Sequence, residues 1–356
     1  MYASTSSSSK DNLLRAIRFE TPDYIPMTFH INEACWHMYE PNALFDLMES
    51  HPFLFPNFQR PENFVPNYAL NARKGQPYKD GFGCVWQTEM DGIVGSIVGH
   101  PLEDWDSYKD YPFPDPAQTT GLFPIDWTAF EEECAANREK GEMVYGDLRH
   151  GHTFQQLAEL RGFENLLFDM CDEEPLLLDL IARLEQFNYE QIMHFVKAGV
   201  DMIRIPEDLG MQKGPMIRPD DFRKYIKPSY QRLLAPAREK GILIHMHSDG
   251  DIRTLCDDLI DGGVDVLNLQ DLVNGIDWIA EKFRGKTCID LDIDRQSITP
   301  YGTPAEIDAL VREEVEKIAC REGGLMMIYG LYPGVPLENV KALMDAMERY
   351  AFYYSA

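Results

Sequence analysis

Apolar positions in this chain alternate between two rhythms: the three-and-four spacing of an amphipathic helix, and short, nearly continuous runs rich in branched residues. A helix is predicted over 176–199, closed by Gly199 and followed by the run VDMIRI at 200–205. The unit repeats over 219–241, with a kink expected at Pro228, before ILIHMH at 242–247. It recurs after Gly262 and Gly263, ahead of VDVLNL at 264–269, and after Gly323 and Gly324, ahead of LMMIY at 325–329. Uninterrupted apolar strands are those covered on both faces, as in a parallel sheet wrapped by helices. With TCIDLDID near 287–294, MVYGD near 143–147, YIPMTF near 24–29 and a weaker run at 51–55, the count reaches about eight strands. The predicted fold is therefore a single (β/α)8 barrel of the TIM type. A last helix starts near Pro336 and places Val340, Leu343, Met344, Met347 and Tyr350 on one face.

Two stretches depart from the rhythm. Residues 1–10, MYASTSSSSK, read as a flexible tail, which leaves 11–356 as one barrel domain. Residues 56–116 are rich in Pro, Gly and aromatics, and CVWQTEMDGIVGSIV within them reads as a hairpin turning at Asp91-Gly92. This insertion in the N-terminal half is expected near the barrel mouth, as a lid. Hydrophobic residues at 44% and charged residues at 26% are ordinary for a globular chain, and no apolar run reaches membrane-spanning length. The first residues lack the basic head and apolar stretch of a signal peptide, so a cytoplasmic setting is expected. Seven cysteines without a CxxC pair argue against a disulfide framework and against a zinc ribbon. Lys and Arg number 33 against 59 Asp and Glu, a net charge of −26, and such a field repels nucleic acid and anionic membranes. A small molecule is the expected ligand.

Reacting groups in such barrels sit at the C-terminal ends of the strands. The polar residues there are His30; Asp147, Arg149, His150 and His152; Arg204, Glu207 and Asp208; His245, His247 and Asp249; Asn268 and Gln270; Asp290 and Asp292; and Tyr329. His245 and His247 alternate within a strand and so point the same way, which suits two ligands of one metal or an acid/base pair. Glu207 or Asp208, from an earlier strand end, supplies the carboxylate of a three-ligand centre with one open position. The competing reading is a pair of metal-free histidines hydrogen-bonded to substrate. Asp290 and Asp292 share a face, and either one of them orients a histidine or binds a polar substrate group, or the two are a hydrogen-bonded pair at the barrel rim. RHGH at 149–152 follows a strand and suits an anionic substrate group, or else caps backbone carbonyls. No GxGxxG, Walker loop or GxSxG elbow is present, which weighs against nucleotide binding and serine hydrolysis.

The runs EDLGMQKGPMIRPDDFRKYIKPSYQRL, HMHSDGDI, GVDVLNLQD and YPGVPLENVKALMDAMERY, together with the opening LLRAIRFETPDYIPM, resemble the uroporphyrinogen decarboxylase superfamily over most of the chain beyond residue 10. The resemblance implies a barrel fold and one of two activities, porphyrinogen decarboxylation or zinc-dependent methyl transfer with a corrinoid protein; related barrels often form homodimers. The decarboxylases carry an arginine-rich RQAGRY-like segment for a substrate bearing many carboxylates. Here the equivalent stretch reads MTFHINEACWHMYE, without arginine, so that clamp is missing and the methyltransferase branch is favoured.

The methyltransferases hold zinc with His-x-Cys at one strand end and a Cys on the last strand. In this chain His245-Met246-His247 stands at the first place and Tyr329 at the second, so both thiolates are replaced by harder groups. What the resemblance then implies is zinc on His245, His247 and Glu207, acting as a Lewis acid on a small, O-methylated donor, with cobalamin supplied only by a partner corrinoid protein. Tyr329 or His152 would protonate the leaving group, with His150 and Asp290 as further catalytic candidates. His30, Arg149, Asp147, Arg204, Asn268 and Gln270 are the candidates for substrate binding. The rival expectation is a metal-free decarboxylase or lyase on a small carboxylate or porphyrin-like substrate, with the two histidines as acid and base and Arg149 or Arg204 gripping the carboxylate.

Overall fold

Glycines end two of the helices where the pattern places them. Gly199, at φ +68°, closes the helix Pro175–Ala198 by donating to the Phe195 and Val196 carbonyls, and Gly263, at φ +115°, closes Cys256–Gly262. The chain turns after each and enters the next strand. This computed structural model describes residues 9–355. Of the tail predicted at 1–10, residues 1–8 lie outside the described residues.

The chain divides into two compact units, the first made of residues up to Gln76, Thr88–Gly95 and everything from Leu267, the second of Pro77–Gln87 and Ser96–Val266. Among the described residues the parallel strands number seven, in chain order β1 (Met27–Ile31), β2 (Tyr145–Asp147), β3 (Met202–Arg204), β4 (Leu243–Ser248), β5 (Val266–Gln270), β6 (Cys288–Asp292) and β7 (Leu325–Leu331). In the first unit they run in the order β1-β7-β6-β5, with Phe29 opposite Tyr329 and Asp292 opposite Ile328. In the second they run β4-β3-β2, which sets Asp147, Arg204 and His245 side by side. Every residue of β5 and β6 is buried, as continuous apolar strands require. The alternation of parallel strands and helices is that of an α/β barrel, as predicted.

Three local expectations change. Residues 51–55 are not a strand but a turn after the helix Pro41–Ser50: the Glu348 carboxylate accepts from the amides of Phe53 and Leu54, and the burial of Leu54 and Phe55 produced the apolar run. The helix before β7 ends at Ile318, and Gly323 and Gly324 lie in a separate turn beyond it. At Pro228 there is a π-helical turn, Phe222–Ile226, leading into the helix Lys227–Glu239. Proline has no amide hydrogen for the Lys224 carbonyl, and a widened turn accommodates that loss.

The predicted hairpin forms: Val85–Gln87 pairs antiparallel with Ser96–Gly99, and Tyr78–Lys79 adds a third strand. Its two strands are joined by the longer segment Thr88–Gly95, which clusters with the first unit. Gly92 there, at φ +83°, lies so close to the Ala34 backbone that a Cβ would stand 2.3 Å from its nitrogen. Among the described residues no helix is long and apolar enough to cross a membrane.

Candidate functional site

In the second unit the ends of β2, β3 and β4 are stitched together by backbone bonds. Leu148 donates to the Arg204 carbonyl, Gly151 to Pro206, Ile205 to His245 and Glu207 to His247. Beyond them the loops carrying Asp208 and Asp249 cross at Gly210 and Gly250. A Cβ on Gly250 would lie 2.2 Å from the Gly210 carbonyl carbon, and Gly250 sits at φ +81°, so this crossing admits glycine alone. The Asp249 amide, in turn, donates to the Asp208 carboxylate at 2.9 Å.

This geometry brings His150, Asp208 and His247 together, each offering one ligand atom and all within 4.8 Å of one another. His150 Nε2 stands 3.5 Å from Asp208 Oδ2, and His247 Nε2 is 3.6 Å from Asp208 Oδ1 and 3.5 Å from Asp249 Oδ1. The side chains of the three are 49%, 27% and 21% exposed, so a solute can reach them. Desolvation opposes a proton on His150, but the adjacent Asp208 carboxylate and the charge of Asp249 outweigh it and raise its pKa. Burial pushes Asp208 up, yet His150 and His247 beside it more than reverse this, and its pKa falls below the usual carboxylate range.

These separations are informative in themselves. A direct hydrogen bond would close them to about 2.7–3.2 Å. Two donors held about 2.0–2.1 Å from one zinc at a tetrahedral angle lie about 3.4 Å apart. The spacing and the two-imidazole, one-carboxylate chemistry therefore fit a divalent metal with an open position.

The other residues singled out in the sequence fall into three groups. Glu207 is fully buried and occupied: Oε1 accepts from the Thr153 and Gln155 amides at 2.8 and 3.0 Å, and Oε2 accepts from the Tyr230 hydroxyl. His152 is also buried, its Nδ1 at 2.7 Å from Thr153 Oγ1, and burial lowers its pKa. The two arginines are both paired. Arg149 bonds Glu159 at 2.7 Å and the His150 carbonyl at 3.1 Å, donates to Gln156, and lies over the Trp86 ring at 5.7 Å; Arg204 forms a two-pronged pair with Asp147 at 2.5 and 2.7 Å. Burial raises Glu159, across from Arg149, to about 7.

His30, Asn268, Gln270, Asp290 and Tyr329 belong to the first unit. There Tyr329 is buried against Phe29, its hydroxyl donates to Thr299 at 3.1 Å and burial raises its pKa; Asn268 donates to the Asp290 carbonyl at 2.6 Å.

The metal-type cluster thus keeps only His247 of the three expected ligands: it takes His150 where the leading expectation took His245, which stands on β4 opposite Arg204, and Asp208 where it took Glu207. Glu207 and Asp208 lie in the loop beyond β3, and their carboxylates go different ways, Glu207 to Thr153, Gln155 and Tyr230 and Asp208 to His150 and His247. Only the fold decides which. Tyr230, and the Asp80–Trp86 contact at 2.9 Å beside Arg149, carried no signal of their own in the sequence.

Comparison with known proteins agrees with this fold. The chain belongs to the uroporphyrinogen decarboxylase family, whose model, Uroporphyrinogen decarboxylase (URO-D), matches residues 153–350. It is similar to uroporphyrinogen decarboxylase from Thermus thermophilus, 26% identical over 189 residues, 51% of each chain. It is also similar to the methylcobamide:CoM methyltransferase MtaA of Methanosarcina barkeri, 28% identical over 164 residues, 44% of this chain and 43% of that one. The chain thus spans about half the length, or less, of the curated relatives it matches. A methyltransferase from Methanosarcina mazei has the same fold, with a TM-score of 0.62 at 18% identity over 96% of this chain and 98% of that one.

Proposed function

We propose that this protein is a metal-assisted methyltransferase that moves a methyl group from a small, oxygen-linked donor to a corrinoid carried by a separate protein, in the cytoplasm. The observation that carries the reading is the His150–Asp208–His247 cluster, whose donor atoms are at ligand spacing and face solvent. Relatives named as a methyltransferase and as a decarboxylase support an enzyme of this general kind.

In this reading His150, Asp208 and His247 hold the ion, with Asp249 at its edge. The bound ion, zinc or a similar divalent metal, would supply Lewis acidity toward the oxygen that leaves as the methyl group departs. The donors are nitrogen and oxygen rather than thiolate, which favours an oxygen-bearing substrate over a thiol. The chain's own contribution is to hold the two imidazoles and the carboxylate in a fixed array, through the glycine crossing at Gly210 and Gly250 and the backbone bonds that join β2, β3 and β4. Arg149 grips the His150 carbonyl and so steadies that ligand from behind.

The lyase reading requires a cation directed at the substrate carboxylate. Its two candidates, Arg149 and Arg204, are already paired with Glu159 and Asp147. The deciding experiment is metal content of the purified protein by elemental analysis, with His247→Ala and Asp208→Ala beside it. About one divalent ion per chain, lost in both variants, supports the reading and leads to assays with methoxylated donors and a corrinoid acceptor. Absence of metal after reconstitution overturns it.

A further inference from the structure

We propose that Glu207 and Tyr230 act as a positioning lock for the metal cluster without being ligands of it; the inference rests on His150, Asp208 and His247 being the working site. Glu207 lies directly beside Asp208 and joins three elements that carry the cluster. Its amide donates to the His247 carbonyl at 2.9 Å. Its carboxylate receives the Thr153 and Gln155 amides, and these open the helix Phe154–Arg161, whose own cap residue Thr153 makes no side-chain capping bond. Glu207 therefore caps that helix from the loop after β3, where a carboxylate is favoured by the unpaired amides and the helix dipole.

The rest of the loop is held from the same side. Asn188 donates to the His152 carbonyl at 2.7 Å, and the Gln155 side chain accepts from the Asp208 amide at 2.9 Å. His150 hangs in this loop between the tethered points. Tyr230 completes the arrangement by donating its hydroxyl to the second Glu207 oxygen; burial and the adjacent carboxylate raise its pKa well above the ordinary phenol value, so it remains a donor.

The π-helical turn contributes to the placing of Tyr230. An extra residue in a turn rotates the downstream helix by about 100°. The turn Phe222–Ile226 stands immediately before the helix that carries Tyr230, and so sets which face that helix presents. Pro228, by removing one amide, makes the wide turn the local solution.

A lock of this kind acts through the ligands, so its removal lowers metal affinity more than it lowers global stability. Loss of an outer partner of a metal site typically weakens binding by about 10- to 100-fold. The test compares wild type with Tyr230→Phe, which is isosteric, and with Tyr225→Phe, which removes another buried hydroxyl, bonded to the Met170 carbonyl. Two quantities are read: cobalt(II) affinity by absorption titration, and hydrogen exchange at the Thr153 and Gln155 amides in metal-free protein. Tyr230→Phe is expected to weaken cobalt binding at least about tenfold and to speed both amides, while Tyr225→Phe changes neither. Wild-type exchange at both amides in Tyr230→Phe overturns the lock. Faster exchange with unchanged cobalt affinity overturns its positioning role. If the wild type takes up no cobalt, the metal reading fails separately, and the exchange comparison still decides whether Glu207 and Tyr230 tie the loop.

Discussion

Glu207 in the second unit and Glu314 in the first are both wholly shielded from solvent, yet they meet that burial differently. Glu207 has three donors on its carboxylate, two amides and a phenol. Neither oxygen of Glu314 receives a donor, and its neighbours Asp271 and Asp294 are acids themselves. Burial, then these neighbouring charges, drive its pKa well above the usual value. Asp294 is satisfied by the amides of Gln296, Ser297, Ile298 and Thr299. A buried carboxylate supplied with donors can organise what surrounds it. One supplied with other acids is pushed toward its protonated form.

The largest expected effect comes from removing the donors' target. Glu207→Ala strands two amides and the Tyr230 hydroxyl, and is expected to cost about 3–5 kcal/mol, measured by denaturant unfolding; a loss below about 1 kcal/mol would show that the carboxylate is not holding the unit together.

The first unit is expected to respond to pH instead. Glu314 has a folded pKa above its unfolded value, so the stability it contributes is complete below pH 4.5 and is lost as pH rises toward the folded value. Asp271, raised to about 6 by burial, follows the same sign, losing its contribution between about pH 4 and 6. Glu314→Gln removes one of these protons. Its stability relative to wild type should therefore grow by about 1.4 kcal/mol per pH unit above the unfolded carboxyl pKa. Unfolding curves from pH 5 to 8 check this, and parallel profiles would mean that Glu314 takes up no proton on folding.

Smaller changes sharpen the contrast. Tyr329→Phe removes one buried hydroxyl bond to Thr299 and should cost about 1 kcal/mol in thermal or denaturant unfolding. It should leave cobalt(II) affinity unchanged, because Tyr329 is not among the proposed ligands; a loss of affinity would bring Tyr329 into the proposed site. Arg204→Ala breaks a half-exposed pair with Asp147 and should cost less than about 1 kcal/mol.

Much of this architecture is legible in the order of residues alone. Continuous apolar runs after Gly199, Gly241 and Gly263 announce β3, β4 and β5, because a doubly covered strand needs no polar face. His247 is legible as well, since alternation in HMHS places it at a strand end. What misleads is burial without secondary structure: Leu54 and Phe55 are core residues in a turn, and an apolar pair carries no mark of the backbone that presents it. His150 is visible only as part of RHGH, with nothing in that motif to say that it turns toward Asp208 while His152 turns inward.

The amino-acid order by itself therefore determined the fold class, the strand ends and the set of residues from which a site could be drawn, because periodicity and glycine placement are local properties of the chain. The tertiary structure decided which of these residues come together in the proposed site. Asp208 rather than Glu207 meets the histidines, and Tyr230, from a helix more than twenty residues away, holds Glu207 apart. Those choices depend on how one backbone crosses another at Gly210 and Gly250 and on which way adjacent side chains face once it has, and neither is encoded in the spacing of residues along the chain.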